Sequence, residues 1–271
     1  MTIDNSLQSP NQIPADAARM YIVAMRLREP AICLRTNDFS ETSQVVHFFT
    51  RSSGSVRLLA KGSKRPKSKT GGAIDLLGEG DLVFIPSSSG ALGTLVEFTE
   101  TVSHSPLRKN ARRLNIALYM IELVGEMLAE NDPHPELFDL LHNALARLAQ
   151  EDAPMPAVLA YFQWRALKHI GLLGELKACV SCGIALAESQ QAAAFSSRQG
   201  GMLCRRCAAA APEKLQLTPE AIKGMVILAA AEAGKKVSLE HAEAMAVNRV
   251  LAYHAANQIG KPLKTAKLVL G

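Results

Sequence analysis

Gln44–Ala60 reads QVVHFFTRSSGSVRLLA. Two short runs rich in β-branched and aromatic side chains, QVVHFFT and SVRLLA, flank the turn residues RSSG, the pattern of two strands joined by a short connection. Phe48 and Phe49 are adjacent, and neighbouring side chains in a strand face opposite ways. One of them is core. The other is either a platform for a ligand or the underside of a second layer. The same texture continues on both sides of this pair, in YIVAMRL (Tyr21–Leu27), AICLRT (Ala31–Thr36), DLVFIP (Asp81–Pro86) and TLVEFT (Thr94–Thr99). The breaks between them, NDFSET, GEG and SSSGALG, are turn-formers. Several short strands at this spacing predict a small barrel over residues 21–100, of OB type or of the SH3-like type that composition alone does not separate from it.

After His104 the apolar period changes to 3.6 residues. Leu114, Ala117, Leu118, Ile121, Val124 and Leu128 mark one face of a first helix. Leu137, Leu140, Leu141, Ala144, Leu145 and Leu148 mark a second, and Val158, Leu159, Phe162, Ala166 and Ile170 a third. Two further helical runs cover roughly Pro219–Ala233 and Ser238–Ile259. The expected fold class is therefore α+β: a barrel at 21–100, then a mostly α-helical domain at 105–271. Residues 1–20 are polar and read as a loose extension.

The segment 178–208 carries Cys179-Val-Ser-Cys182-Gly and then Cys204-Arg-Arg-Cys207. Two C-x-x-C knuckles at such a distance are a zinc signature, because a two-residue spacer lets one tight turn aim two thiolates at one ion. Gly183 and Gly200-Gly201 supply turn freedom, and Lys177, Arg205 and Arg206 offset the charge of a tetrathiolate centre. Four thiolates fill every position round the ion, so one structural Zn2+ per chain is expected. The alternatives for the same residues are four ordinary reduced cysteines, a disulfide pair or an iron–sulfur cluster. A zinc hydrolase or deaminase needs an open coordination position and is disfavoured. Cys33, in a strand-like run, reads as a small core residue.

The chain has 271 residues, a formal net charge of +5 and 48% hydrophobic residues. That suffices for a core, and the basic balance favours a polyanionic partner. No run is long and apolar enough for a membrane span, and the N-terminus lacks an apolar signal core, so the expected compartment is cytoplasmic. The charge is uneven. Lys61–Lys69 reads KGSKRPKSK, with Lys61, Lys64, Arg65, Lys67 and Lys69 basic and nothing acidic. Such a run is often only a solvated face, but it follows a strand directly, and Arg35, Arg51 and Arg57 lie in neighbouring strands or turns. Together these eight are the expected DNA-binding set. Phe39, in a turn, is a further candidate for base stacking. Arg108, Lys109, Arg112 and Arg113 open the first helix against its macrodipole and form a second candidate anion patch; the alternative is a turn whose arginines pair with glutamates elsewhere.

The stretch TNDFSETSQVVHFFT (Thr36–Thr50), with Gly54 and then VRLLAKGSKRPKS (Val56–Ser68), resembles the N-terminal signature of the bacterial recombination-repair RecO family. ALYMIELVGEML (Ala117–Leu128), ELFDLLHNAL (Glu136–Leu145), FQWRALKHIGLLGELKACVSCG (Phe162–Gly183) and GKPLKTAKLVL (Gly260–Leu270) extend the likeness. The resemblance implies an OB-fold followed by a helical domain, often with a zinc site. It also implies binding of single- and double-stranded DNA, strand annealing without any enzymatic step or small-molecule substrate, and loading of RecA recombinase together with RecR. A further implied partner is the acidic, apolar-ended tail of single-strand DNA-binding protein, met through the helical domain; Phe162, Trp164 and Arg165 offer an apolar wall and a cation for it, the alternative being that Phe162 is core and Trp164 half-buried. The extension at 1–20 is outside the family signature. A zinc-stabilised adaptor whose basic loop meets an acidic protein is the competing expectation.

Overall fold

The structure, a computed structural model, describes residues 26–68, 70–87, 92–174, 176–186, 192–231 and 238–270. The expectations for residues 1–20, for most of Tyr21–Leu27 and for Lys69 lie outside the described residues.

Strands β1 (Leu27–Asp38), β2 (Gln44–Thr50), β3 (Gly54–Ala60), β4 (Glu79–Ile85) and β5 (Gly93–Val102) close into a barrel in the order β1-β2-β3-β5-β4. Only the β3–β5 closure is parallel, which gives the barrel OB-type topology. Inward-facing side chains alternate along the strands: Cys33 opposes Phe48, and Phe48 stacks on Phe98 with ring centroids 5.0 Å apart. Cys33 is core as expected, and burial pushes its thiol far above the ordinary value.

The next pair along, Ile32 and Phe49, faces outward and is nonetheless fully buried. Both belong to the core of the helical half, where Phe49 meets Phe138 at 5.6 Å between centroids. A bulge at Leu34 inserts an extra residue into β1, so that Leu34 also reaches this core beside Gly125.

The helical half contains α1 (Ser105–Arg108), α2 (Ala111–Met127), α3 (Pro135–Leu148), α4 (Met155–His169), α5 (Arg205–Ala210), α6 (Pro219–Ala231), α7 (His241–Ile259) and α8 (Ala266–Leu270). Asn110 caps α2, its side chain accepting from the Arg113 backbone N–H at 3.1 Å. The expected single apolar face of this helix is too narrow a description: Ile116, Tyr119, Met120 and Leu123 are buried as well. The reason is position, since α2 lies between the barrel and the other helices. Tyr119 donates to Gln163, Gln163 to Asn248, and Asn248 to the Pro156 carbonyl, at 2.7, 2.8 and 2.9 Å; this chain of bonds ties α2, α4 and α7 together. The cysteine segment is more than a pinned loop. Strands β6 (Ala192–Ser196), β7 (Gly201–Cys204) and β8 (Leu215–Gln216) form a small sheet with Phe195, Met202 and Leu203 buried. Among the described residues no helix is long and apolar enough to cross a membrane.

Three polar contacts lock the halves together beside Phe49. Arg51 makes a two-bond ion pair with Asp139 of α3, both bonds 2.9 Å. The β2–β3 turn docks on the α2–α3 connection, where Asn131 N–H donates to the Ser55 carbonyl at 2.9 Å; a Cβ on Gly54 (φ +72°) would stand 2.1 Å from the Asp132 carbonyl oxygen. Buried Glu79 of β4 bonds both His104, at 2.8 Å, and His142 of α3. Burial alone would raise the Glu79 carboxyl, but the two histidine bonds outweigh it and hold it below its ordinary 4.5.

Phe49→Ala should cost about 3–5 kcal/mol in urea denaturation, as other large-to-small core changes do. Because the Glu79 carboxyl is depressed on folding, its stabilisation is present above about pH 4.5 and is lost as pH falls through the lower folded value. Glu79→Gln should flatten that part of the stability–pH curve and destabilise the protein at neutral pH; identical acid profiles for both proteins would contradict this role.

Candidate nucleic-acid interface

Beyond β3 the chain runs through a series of turns that carries the basic stretch. Ser63 is buried and donates to the Gln44 side chain at 3.0 Å, and the same amide holds Ile74 from both sides of its peptide. Backbone bonds from Arg65 to Gly62, Ser68 to Arg65 and Gly71 to Ser68 close successive turns, and the Ser68 hydroxyl accepts from Gly72 N–H at 2.9 Å. The loop is therefore built, not loose. Lys61, Arg65 and Lys67 project from it exposed and make no ion pair among the described residues. Lys64 differs: its ammonium sits 2.5 Å from Asp38 and is half-buried there.

Across the outer face of the barrel, Arg35, His47 and Arg57 stand in one row, paired strand to strand. They line one wall of a cleft of about 680 Å³, whose opposite wall is α2 with Glu122 and Glu126 and whose end is closed by Lys264 and Thr265. Arg35 is exposed and makes no ion pair among the described residues. Burial holds His47 below its ordinary value, with Arg57 and Arg35 adding to the effect against the pull of Glu130, so it is neutral near pH 7. Arg57 is committed to Glu130, so it adds little free charge to the expected set. Arg51 stands apart from this row. It points to the junction with α3, because the β2–β3 turn that carries it packs on the helices instead of on the cleft.

The second basic cluster divides in the same way. Arg108 pairs with Asp75 at 3.0 Å and donates to the Leu76 carbonyl, while Arg113 donates to the Glu151 carbonyl at 2.8 Å. Lys109 and Arg112 stay exposed and make no ion pair among the described residues. Of the three residues expected to receive a peptide tail, Phe162 and Trp164 are 0% and 1% exposed and belong to the core. Two residues apart, they point to different sides of α4, which is buried round much of its circumference. Arg165 lies over the Trp164 ring, 5.6 Å from its centroid, and faces a shallow groove with Tyr161, Leu140 and His169. Glu136 and Asp139 share that groove, so its charge is mixed.

The four knuckle cysteines converge, with all their sulfurs within 4.8 Å of one another. Cys182 and Cys204 are 3.8 Å apart. That is too long for a disulfide and matches the edge, about 3.8 Å, of a tetrahedron with Zn–S bonds of about 2.3 Å. Burial raises the Cys179 thiol, but the backbone N–H groups of Cys204, Cys182 and Ser181 outweigh it and bring it down to about 6. The donor set fits zinc. His134 and Glu136 stand in a His-x-Glu spacing, but His134 pairs with Asp132 at 3.1 Å and is not part of the cysteine group.

The description "Recombination protein O N terminal" matches residues 25–102, and "Recombination protein O C terminal" matches residues 108–267. The chain belongs to the RecO family. It is 31% identical over 199 residues to the DNA repair protein RecO of Bacillus pumilus (strain SAFR-032), covering 73% of this chain and 75% of that one. With the DNA repair protein RecO of Anaeromyxobacter dehalogenans (strain 2CP-C) it shares 33% identity over 209 residues, 75% of this chain and 79% of that one. The family boundary between the two matches falls where β5 ends and α1 begins.

In this RecO-family chain the sequence reading missed Lys264 and Thr265, which close the cleft. Glu122 accepts from both of their backbone N–H groups, at 2.8 and 2.9 Å, and Lys261 pairs with Glu126 at 2.7 Å. Nothing local marks these partners, which are separated by more than half the chain. Removing a metal from the four cysteines should melt the β6–β7–β8 sheet before the barrel. Chelator treatment would then lower the amide protection of 192–204 while leaving 44–60 protected, and equal loss in both segments would contradict the assignment.

Proposed function

We propose that this chain is a DNA-binding recombination-repair mediator that grips the sugar–phosphate backbone through the β3–β4 loop. One observation carries the reading: three cations, Lys61, Arg65 and Lys67, stand free on a loop fixed by its own hydrogen bonds at the end of an OB-type barrel. Cations held this way release counterions from phosphate without reading bases, and OB barrels carry single strands along this side. Arg35 extends the patch along the cleft, and Lys109 and Arg112 form a separate, smaller one. Neutralised phosphates repel less, which is a route by which two complementary strands anneal with no chemical step.

The family resemblance supports the finer reading. In that reading the protein works in the cytoplasm, with the nucleoid, annealing strands and helping RecA load onto DNA coated by single-strand-binding protein. RecR and the tail of the coating protein would then be its protein partners, the latter on the helical half. We assign the four cysteines to structural zinc, which would stabilise the small sheet beside α5 and supply no reaction step.

Fluorescence anisotropy on a labelled single strand across a salt series tests this. Three phosphate contacts predict a slope of log affinity against log salt near −2, at about 0.7 per contact. Lys61/Arg65/Lys67→Glu should remove most of that slope while the thermal transition stays in place, and Arg51→Ala should leave it unchanged. Unaltered binding by the triple variant would move the DNA site elsewhere. No binding by the wild type would favour an adaptor whose loop meets an acidic protein.

A further inference from the structure

Cations on a loop hold phosphate but do not distinguish a single strand from a duplex. A side chain beside them does. Phe39 is 62% exposed, more than any other large apolar residue described. It opens the β1–β2 turn, which Phe39 N–H closes on the Ser43 carbonyl at 2.9 Å. That turn is fastened to the basic loop at three points. Lys64 N–H donates to the Thr42 carbonyl at 3.1 Å, Gly62 N–H to the Ser43 hydroxyl at 3.1 Å, and the Lys64 ammonium meets Asp38. Phe39 cannot drift away from Lys61 and Arg65 without breaking these contacts. The three side chains, with Leu59, wall one concavity of about 360 Å³.

The charge around it is also arranged. Asp38 is neutralised by Lys64, leaving Glu41 as the free carboxylate of the turn. A ring in water beside two free cations matches one nucleotide: the cations take the flanking phosphates and the ring takes the face of the base. Nothing in the fold explains why a phenylalanine is held out at this position, since Phe48 and Phe49 already fill the barrel and its underside.

We propose that Phe39 is the seat of one unpaired nucleobase, so that this concavity admits single-stranded nucleic acid and disfavours duplex, whose bases are already stacked on both faces. The inference rests on the reading of the loop as a phosphate grip and adds base contact to it. Stacking is sequence-tolerant, so the seat selects strandedness and not a base.

The test compares two labelled strands of about 12 nucleotides, within the usual site size of one OB fold. One is oligothymidylate and the other has the same charge with abasic sugars. Wild type should bind the base-bearing strand about tenfold more tightly, the effect of one stacked base. Phe39→Ala should bind both strands alike, at the abasic level, with the salt slope unchanged. Phe39→Trp should keep the preference and show emission quenched on binding. If wild type binds both strands equally while Lys61/Arg65/Lys67→Glu still loses both, the phosphate grip stands and the base seat is overturned, leaving Phe39 to a protein contact. A Phe39→Ala protein that retains the preference overturns it as well. If wild type binds neither strand, both readings fall together.

Discussion

Phe48 and Phe49 are neighbours in β2 and serve two different cores. The first closes the barrel against Phe98, and the second leaves it to meet Phe138 of α3. A strand permits this because its side chains alternate, and the barrel wall becomes a shared partition between two apolar volumes. Every polar feature of the junction follows from that partition. Arg51 reaches Asp139, Glu79 reaches two histidines and Gly54 lies under Asp132 because burying Phe49 and Ile32 brings the barrel and α3 into contact. The same docking fixes which part of the β1–β2–β3 face stays open, namely the row above Ile32–Phe49 that begins with Arg35 and His47.

The open face is prepared before any ligand arrives. Gln44 and Ser63 are buried polar groups that satisfy one another and the Ile74 peptide, so the basic loop pays its ordering entropy on folding and not on binding. Lys64 is used for the same purpose. One of the loop's cations is given up to Asp38, and the aromatic turn and the basic turn become one rigid unit in return.

Much of this was legible in the sequence. Period-2 runs broken by glycine and serine gave the strands of the barrel from β2 onward, and two C-x-x-C pairs gave a cluster with the right sulfur spacing. What failed was any reading that needed to know a partner. Arg51 and Arg57 look like Lys61 on paper, but Asp139 and Glu130 lie 88 and 73 residues away in sequence and claim them. Trp164 was a candidate wall for a peptide tail, yet it is buried in the helical core. The β6–β7 hairpin escaped notice because AAAFS and GMLC are too short and too small-residue-rich to alternate visibly; the Gly200-Gly201 turn between them was its one local sign. The central helix α2 shows one apolar stripe, and burial on further sides is set by neighbours that a single helix does not encode.

Glu122 gives the cleft an order of assembly. Its carboxylate takes the N–H groups of Lys264 and Thr265, 142 and 143 residues downstream, in the last turn-and-helix segment described. Domains fold largely as they leave the ribosome, N-terminal part first. The barrel, its basic loop and Phe39 are all complete while α7 is still being made. The far end of the cleft is not, because its closing residues follow α7 in the chain. A nascent chain would thus display its cationic loop well before it has a finished cleft, and a stop between the end of α7 and Lys264 would leave the barrel beside an open-ended groove.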